Sequence, residues 1–489
     1  MLIYNSGLLQ SLNELVLFPF DSHSLPLQSG VELKLCGYNT PCGKTRTVLG
    51  LGEEGAPDCV HVVYYGSVQR VGDELWMWYL GQGPDEEWFE RICLATSRDG
   101  YHWQKPNLGL VDYRGNRNNN LVDLNQGSHH VQSCVVLHDP DDPDVSRRFK
   151  LLFQSNKYNK KFAVAYSADG LTWQESPDNP VGSWMEMTGA TRIGDCYYVC
   201  GHGGSHVGGF RQLVTYLSYD FENWTDASCM GLRRSNITPQ PATAGRNAGQ
   251  QIHLGASLWN RGNVILGFYG MWNGHPSNDR RLITMDLGLA VSNDALHYRE
   301  PVADYPIVAA EEDGWMKASR GHHSYVDFPA LVQGQGFENI GDETLFWYAP
   351  WPEHSSDGVR VASWPRDRLG YFRPTDDGRL RRRGGSHVVS AAIALEGKAA
   401  QIALNVDGIG EYSGLTVAVL DERFNPIPGY SAEDFVPLAT SGLAQPISWQ
   451  GRSAVSDPGV PIRLRIDFTG IRPEDVQLYA VYLNTTDNA

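Results

Sequence analysis

Residues 57–65, PDCVHVVYY, start polar and turn apolar, and four later stretches repeat the pattern: HHVQSCVVL (129–137), WMEMTGATR (184–192), GQQIHLGASL (249–258) and RGHHSYVDFPALV (320–332). Each is followed, after a turn, by a run rich in aromatic and β-branched residues: ELWMWYLG, FKLLFQ, CYYVCG, NVILGFYG and ETLFWYA. Runs of this kind bounded by turn formers read as strands. Five hairpins of one type predict five inner strand pairs around a common axis. Their polar starts carry Asp58, His61, His129, His130, Glu186, Gln251, His253, His322, His323 and Asp327. That ring is where the reading places function.

A turn marks the same repeat further out: SRDGYHW (97–103), SADGLTW (167–173), SYDFENW (218–224) and SNDALHY (292–298), at intervals of 70, 51 and 74 residues. Recurrence at such spacing is a repeat signal. Ser and Asp bond local backbone groups, Gly permits positive φ, and the aromatic that follows packs between sheets. Asp99, Asp169, Asp220 and Asp294 are therefore read as structural, far from the axis. A third strand precedes each marker (ERICLATS, KFAVAYS, RQLVTYLS, MDLGLAVS) and a fourth follows it. In the fifth unit GVRVASW and PRDRLGYFRP keep the alternation. The expectation is all-β: a five-bladed β-propeller over 57–375, within the 4 to 8 blades such folds use. A sandwich of equal strand count is the alternative. Residues 1–56 read as an N-terminal wrapping segment and 376–385, DDGRLRRRGG, as a solvated linker. Residues 386–489 alternate strands and turns in the manner of an antiparallel β-sandwich.

Composition agrees. A chain of 489 residues is long for one core, so two domains are expected. The 52 Gly and 27 Pro favour turns over long helices. A net charge of −16 without basic blocks argues against nucleic acid and membrane as partners, since both need a cationic footprint. A neutral ligand fits better. The N-terminus, MLIYNSGLLQSLNELVLFPF, reads as neither leader nor span, so a cytoplasmic location is expected. The eight cysteines match no zinc-ligand spacing and are read as reduced core thiols.

Several stretches resemble a known group: SRDGYHWQKPNLGLVDYRGNRNNNLV (97–122), DPDDPDVSRRFKLLF (139–153), LDERFNPIPGYSAED (420–434) and ISWQG (447–451). They look like a bacterial group similar to the invertase and levanase glycosidases, which belongs with the five-bladed propeller furanosidases. The likeness runs from LFPFD (17–21) through the C-terminal strands. The invertase strings W-M-N-D-P-N, R-D-P and E-C are absent. In such propellers catalytic carboxylates sit near the starts of inner strands. The resemblance therefore implies Asp58 as base or nucleophile, Glu186 as acid and Asp327 as the third member. Glycosidic cleavage needs one ionised and one protonated carboxyl across the bond. Trp184, Met185 and Met187 give Glu186 the apolar company that would keep it protonated.

Three readings compete for the inner-strand histidines His61, His129, His130, His253, His322 and His323: hydrogen bonds to sugar hydroxyls, a metal site with Asp58 or Asp327, or backbone pairing. Sugar contact is preferred, because adjacent residues of each HH pair face opposite sides of a strand. Gln251, Arg320 and Trp272 complete the expected substrate contacts, with Trp259 and Trp351 as further stacking platforms. The stretches GHGGSHVGG (201–209) and MWNGHPSNDRR (271–281) read as rim elements. No metal or other cofactor is expected. The expected activity is hydrolysis of a furanoside or related neutral sugar, the partner being an oligosaccharide or glycoside substrate. A phosphorylase using Arg246, Arg320 and central histidines, and a non-catalytic carbohydrate-binding protein, are the rivals. Neither oligomeric state nor the sugar is legible.

Overall fold

A computed structural model describes residues 1–38, 47–84, 86, 89–125, 129–203, 211–234, 247–311, 330–351, 358–375 and 385–486. Five antiparallel sheets follow one another along the chain, each opening on a strand whose neighbours are the opening strands of the sheets before and after it. These inner strands are His61–Val71, Val131–His138, Met185–Ile193, Gly249–Asn260 and Leu331–Ile340. The contacts run first to second, second to third, third to fourth, fourth to fifth and fifth back to first, so the circle closes. The second strands, Glu74–Gln82, Phe149–Ser155, Cys196–Gly203, Ile265–Gly274 and Glu343–Pro350, pair with them, and third strands with those. The molecule is all-β and propeller-like.

Polar side chains join neighbouring sheets where ladder bonds cannot. Val136 N–H donates to Ser67 Oγ at 2.9 Å and Met187 N–H to Ser133 Oγ at 3.3 Å. Thr188 Oγ1–H donates to the Leu254 carbonyl. Gln333 Nε2–H donates to the His253 and Gly255 carbonyls, both at 3.1 Å. Tyr64 O–H donates to the Gln335 carbonyl at 3.0 Å. Each of the five interfaces thus carries a buried bond, and a buried backbone group without one would cost about 1–3 kcal/mol. Gln335 also reaches across the axis, its Oε1 accepting from Ala190 N–H at 2.6 Å. That bond separates the two ends of the axis.

At the strand ends beyond it lies a cavity of about 390 Å3. Its polar lining is committed to pairs between sheets: Arg70 with Glu338 at 3.3 Å, Arg192 with Asp139, His138 Nδ1 with the Arg70 carbonyl at 3.1 Å, and Asn260 Nδ2–H with the Arg192 carbonyl at 3.0 Å. Trp259 stacks on Phe337 at 5.2 Å between the fourth and fifth sheets. This end is a clasp, and Trp259 belongs to it.

The four marker turns share one construction. In each, the Ser hydroxyl bonds the Asp carboxylate, which accepts backbone N–H groups two and three residues on. The following residue takes positive φ in all four: Gly100, Gly170, Phe221 and Ala295. Trp78 and Trp347 donate to the Gly170 and Gly100 carbonyls from adjacent sheets, both at 2.9 Å. The box aspartates are structural, as expected.

Two features differ from the sequence reading. The fifth inner strand, expected over 320–332, is Leu331–Ile340 among the described residues, with 320–329 lying outside them, and Gly334 and Gly336 let its backbone approach Gly66 and Tyr64 where any Cβ would collide. The fourth strand of that sheet is not PRDRLGYFRP but Thr47–Leu49 from the N-terminal segment, pairing with Val359–Pro365. Gly370–Pro374 pairs instead with Val31–Leu35 and Gln477–Thr486. The N-terminal segment is therefore built into the sheets. Glu14–Leu17 pairs with Gln477–Thr486 and Leu27–Ser29 with His387–Val389.

The C-terminal strands form two sheets around one apolar core. One contains Ala399–Asp407 and Gln477–Thr486, the other His387–Val389, Ser413–Leu420 and Arg463–Gly470. Leu17, Phe372, Ile402, Val417, Ile466 and Trp449 meet between them. Asp367 ties this unit to the rest: it is 1% exposed and accepts from Arg261, Asn339 and Tyr482. Those donors hold its carboxyl below the usual range despite burial. The linker 376–385 lies outside the described residues except Gly385. Among the described residues the cysteines are free thiols.

Candidate active site

Glu186 is the second residue of the third inner strand, at the starts of the strands, on the side of Gln335 away from the clasp. Its direct partner across the hairpin is His202. The carboxyl Oε2 is 3.2 Å from His202 Nε2, and Oε1 accepts from Gln132 Nε2 of the second sheet at 3.2 Å. The Glu186 side chain keeps 18% of its surface open, so the carboxyl is within reach of a ligand. Burial pushes its carboxyl up, with Arg211, Lys160 and Arg280 pulling the other way. Burial thus favours the protonated form of this carboxyl more than water would.

His202 is 3% exposed and burial, then Arg211, hold it far below the ordinary imidazole range. It meets Glu186 as a neutral ring, so the contact is a hydrogen bond and not an ion pair. Its Nδ1 accepts from the Leu254 backbone N–H at 2.8 Å. His253, on the fourth inner strand, is 4% exposed and likewise driven down, by burial first, then by His202, Arg211 and Arg280. Its Nδ1 has no hydrogen-bond partner among the described residues.

Rings from four sheets gather around His202 and His253. Tyr65 of the first sheet lies 6.1 Å from His253 between ring centres, Trp351 at the end of the fifth 5.0 Å, and Trp272 of the fourth 5.8 Å. Trp184 and His202 of the third are 5.7 Å apart, as are His202 and His253. Trp272 is fully buried, donates to the Asn247 carbonyl at 2.9 Å and is covered by the Arg211 guanidinium at 4.2 Å. It belongs to the core here and is closed to stacking on a sugar. Gln251 stands behind, its Oε1 accepting from Arg211 N–H at 2.8 Å and its amide donating to the Ala248 carbonyl at 3.0 Å. Arg280 lies over Trp351 at 5.1 Å.

The other expected site residues are distributed differently. Asp58 lies in the turn before the first inner strand, 1% exposed, with Lys105 Nζ 2.5 Å and the Tyr79 hydroxyl 2.6 Å from Oδ2. Asn120 donates to that hydroxyl at 2.7 Å, and Lys105 to the Gly50 carbonyl at 2.7 Å. Asp58 borders a separate recess of about 480 Å3 beside the N-terminal strand, lined also by Trp103 and Asn118 to Asn120. Its neighbours and those of Glu186 share no member. His61 opens the first inner strand opposite Gln82. His129 turns to its own sheet, with Nε2 2.7 Å from Glu175 and 3.0 Å from Asn125. His130 pairs with Glu90 at 2.8 Å. Both histidines precede Val131, where the strand begins, and each is held by a carboxylate. Arg246, Arg320, His322, His323 and Asp327 lie outside the described residues.

The sequence reading passed over Gln132, Arg211, Tyr65 and the partnership of His202 with Glu186. His202 stood within GHGGSHVGG and Arg280 within MWNGHPSNDRR, both noted only as rim stretches.

No family model matches the chain, and no curated protein does. Among solved structures, the chain is similar to a glycosyl hydrolase from Bacteroides ovatus, with 14% identity over 69% of this chain and 95% of that one and a TM-score of 0.45. It is similar to a structure of the GH130 family of mannoside phosphorylases, which contains glycoside hydrolases that target β-1,2 mannosidic linkages (14% identity, 68% and 95% coverage, TM-score 0.43). A thermostable family-43 glycoside hydrolase matches at 13% identity, with 65% and 92% coverage and a TM-score of 0.41.

Proposed function

We propose that the chain is a glycoside hydrolase, a five-bladed β-propeller with a C-terminal β-sandwich, that cleaves a furanoside or related neutral sugar at the inner strand starts. The observation that carries this reading is Glu186: a carboxyl pushed up by burial, fixed by Gln132 and His202, and still 18% open beside a cluster of aromatic rings. In this role the Glu186 proton passes to the glycosidic oxygen as the bond to the anomeric carbon breaks, and a second carboxylate or a water it activates takes that carbon. The proposed second carboxylate is Asp327, taken from the sequence. Asp58, enclosed by Lys105 and Tyr79, suits support of the first sheet better than attack on a sugar.

A phosphate-dependent reading has its own support in Arg211 and Arg280, whose charges bear on Glu186 and His253. The test is turnover of nitrophenyl furanosides and pyranosides with and without phosphate and chelator. Phosphate-independent release favours the hydrolase, phosphate-dependent release the phosphorylase. Binding without release by either route removes the enzymatic reading.

A further inference from the structure

We propose that His202 is a positioning residue for Glu186, a donor locked into its neutral Nε2–H form by a bulge in the neighbouring sheet. The proposal rests on Glu186 as the working acid, and its test separates the two.

An imidazole with one nitrogen accepting carries its proton on the other. Leu254 N–H points at His202 Nδ1 from 2.8 Å, so Nδ1 holds a lone pair and Nε2 holds the hydrogen. Nε2–H then has Glu186 Oε2 before it at 3.2 Å. In this state His202 has no free lone pair with which to take the Glu186 proton. It can only donate, and it fixes Oε2 as the accepting oxygen while Gln132 fixes the plane of the carboxyl from Oε1.

The donor is built with some effort. The fourth inner strand bulges between His253 and Ala256. Leu254 sits there at φ 62° and Gly255 at φ 85°. Left-handed backbone is unusual for leucine and persists where surroundings enforce it. Thr188 Oγ1–H holds the Leu254 carbonyl and Gln333 holds those of His253 and Gly255, so the two flanking sheets clamp the bulge. A regular strand would aim the residue 254 N–H into a ladder bond with its neighbour. The bulge frees it for His202.

The charged and titratable groups around the pair are Arg211, Arg280 and Lys160, with His253 beside His202. Apart from Glu186 itself, the charges that bear on the pair among the described residues are positive, which opposes an imidazolium and favours the neutral donor.

Two substitutions separate the contacts. His202→Asn keeps an oxygen near Nδ1 for Leu254 N–H and removes the donor to Glu186; His202→Gln restores an N–H near Nε2. In the full chain, ¹³C-carboxyl NMR, with Glu186→Gln to assign the signal, follows Glu186, and ¹⁵N NMR reads the His202 tautomer. The proposal expects an Nε2–H neutral ring in the wild type from about pH 5 to 8, and a Glu186 pKa higher by at least about half a unit in His202→Asn, because a donor to the carboxylate is lost. His202→Gln should recover most of that shift. On a turned-over substrate the basic limb of the pH profile should move with it. An Nδ1–H tautomer, an imidazolium near pH 6.5, or an unchanged Glu186 titration in His202→Asn overturns the proposal. If His202→Asn does not fold, the wild-type ¹⁵N spectrum decides. The NMR shifts without any turnover would uphold the positioning and sink the hydrolase reading.

Discussion

Glu186 and His202 are direct cross-strand partners, 3.2 Å apart at Oε2 and Nε2, and burial drives both towards their uncharged forms. The carboxyl is pushed up and the imidazole down. Burial thus works against the ion pair that the two groups would otherwise form, and His202 meets the carboxyl as a neutral donor.

Stability should depend on pH accordingly. His202 and His253 have folded pKa values below 6.5, so as pH falls through 6.5 the unfolded chain binds protons that the folded chain refuses. Stability is lost on acidification, by up to about 1.4 kcal/mol per pH unit for each histidine. Glu186 has the opposite sign: raised above 4.5 when folded, it costs stability as pH rises through its folded value. Melting temperatures measured from pH 8 to 5 should fall on the acid side, and His253→Gln should make that fall shallower. An unchanged slope would contradict the neutral histidines.

Gly255→Ala should be severe. A Cβ at this position would lie 2.7 Å from Gly201 Cα, and φ there is 85°. Urea unfolding should show a loss of at least about 1–3 kcal/mol from the backbone conformation alone. A loss below about 0.5 kcal/mol would mean that the bulge relaxes freely.

Lys105→Met leaves the Asp58 carboxylate buried without its cation. Removing one partner of a buried pair costs about 3–5 kcal/mol, and this one is 1% exposed on the Asp58 side. The expected effect is on stability with turnover per folded molecule nearly unchanged. A stable Lys105→Met protein that has lost turnover would return Asp58 to the chemistry.

The repeat was legible because the marker turns depend on local chemistry: Ser97, Asp99 and Gly100 act within a few residues, so the string alone carries them. Glu186 was legible as a carboxyl at a strand start, which is where it lies, although Met185 and Met187 pack into the core with Val135 and Leu152. His202 was not. Counting back from the turn at Gly194 and Asp195 sets residue 186 against Gly203, and only the bulge between Met187 and Gly189 brings His202 opposite. The carboxylate partners of His129 and His130 were not legible, because Glu175 and Glu90 are their neighbours only in space. The closing strand Thr47–Leu49 escaped notice because its partner, Val359–Pro365, lies some 300 residues on.

Ser67→Ala tests the bonds that close the circle. Ser67 is fully buried and accepts from Val136 N–H, so its loss orphans a buried backbone donor. Chemical unfolding should register about 1–3 kcal/mol. A neutral result would mean that apolar packing alone seals the first and second sheets.

Glu186→Gln puts the central claim at risk most directly. The amide keeps the shape and loses the proton. Rates on a confirmed nitrophenyl glycoside should fall at least about a hundredfold, with substrate binding and melting temperature nearly unchanged. Near-normal turnover by a folded Glu186→Gln protein would contradict the account.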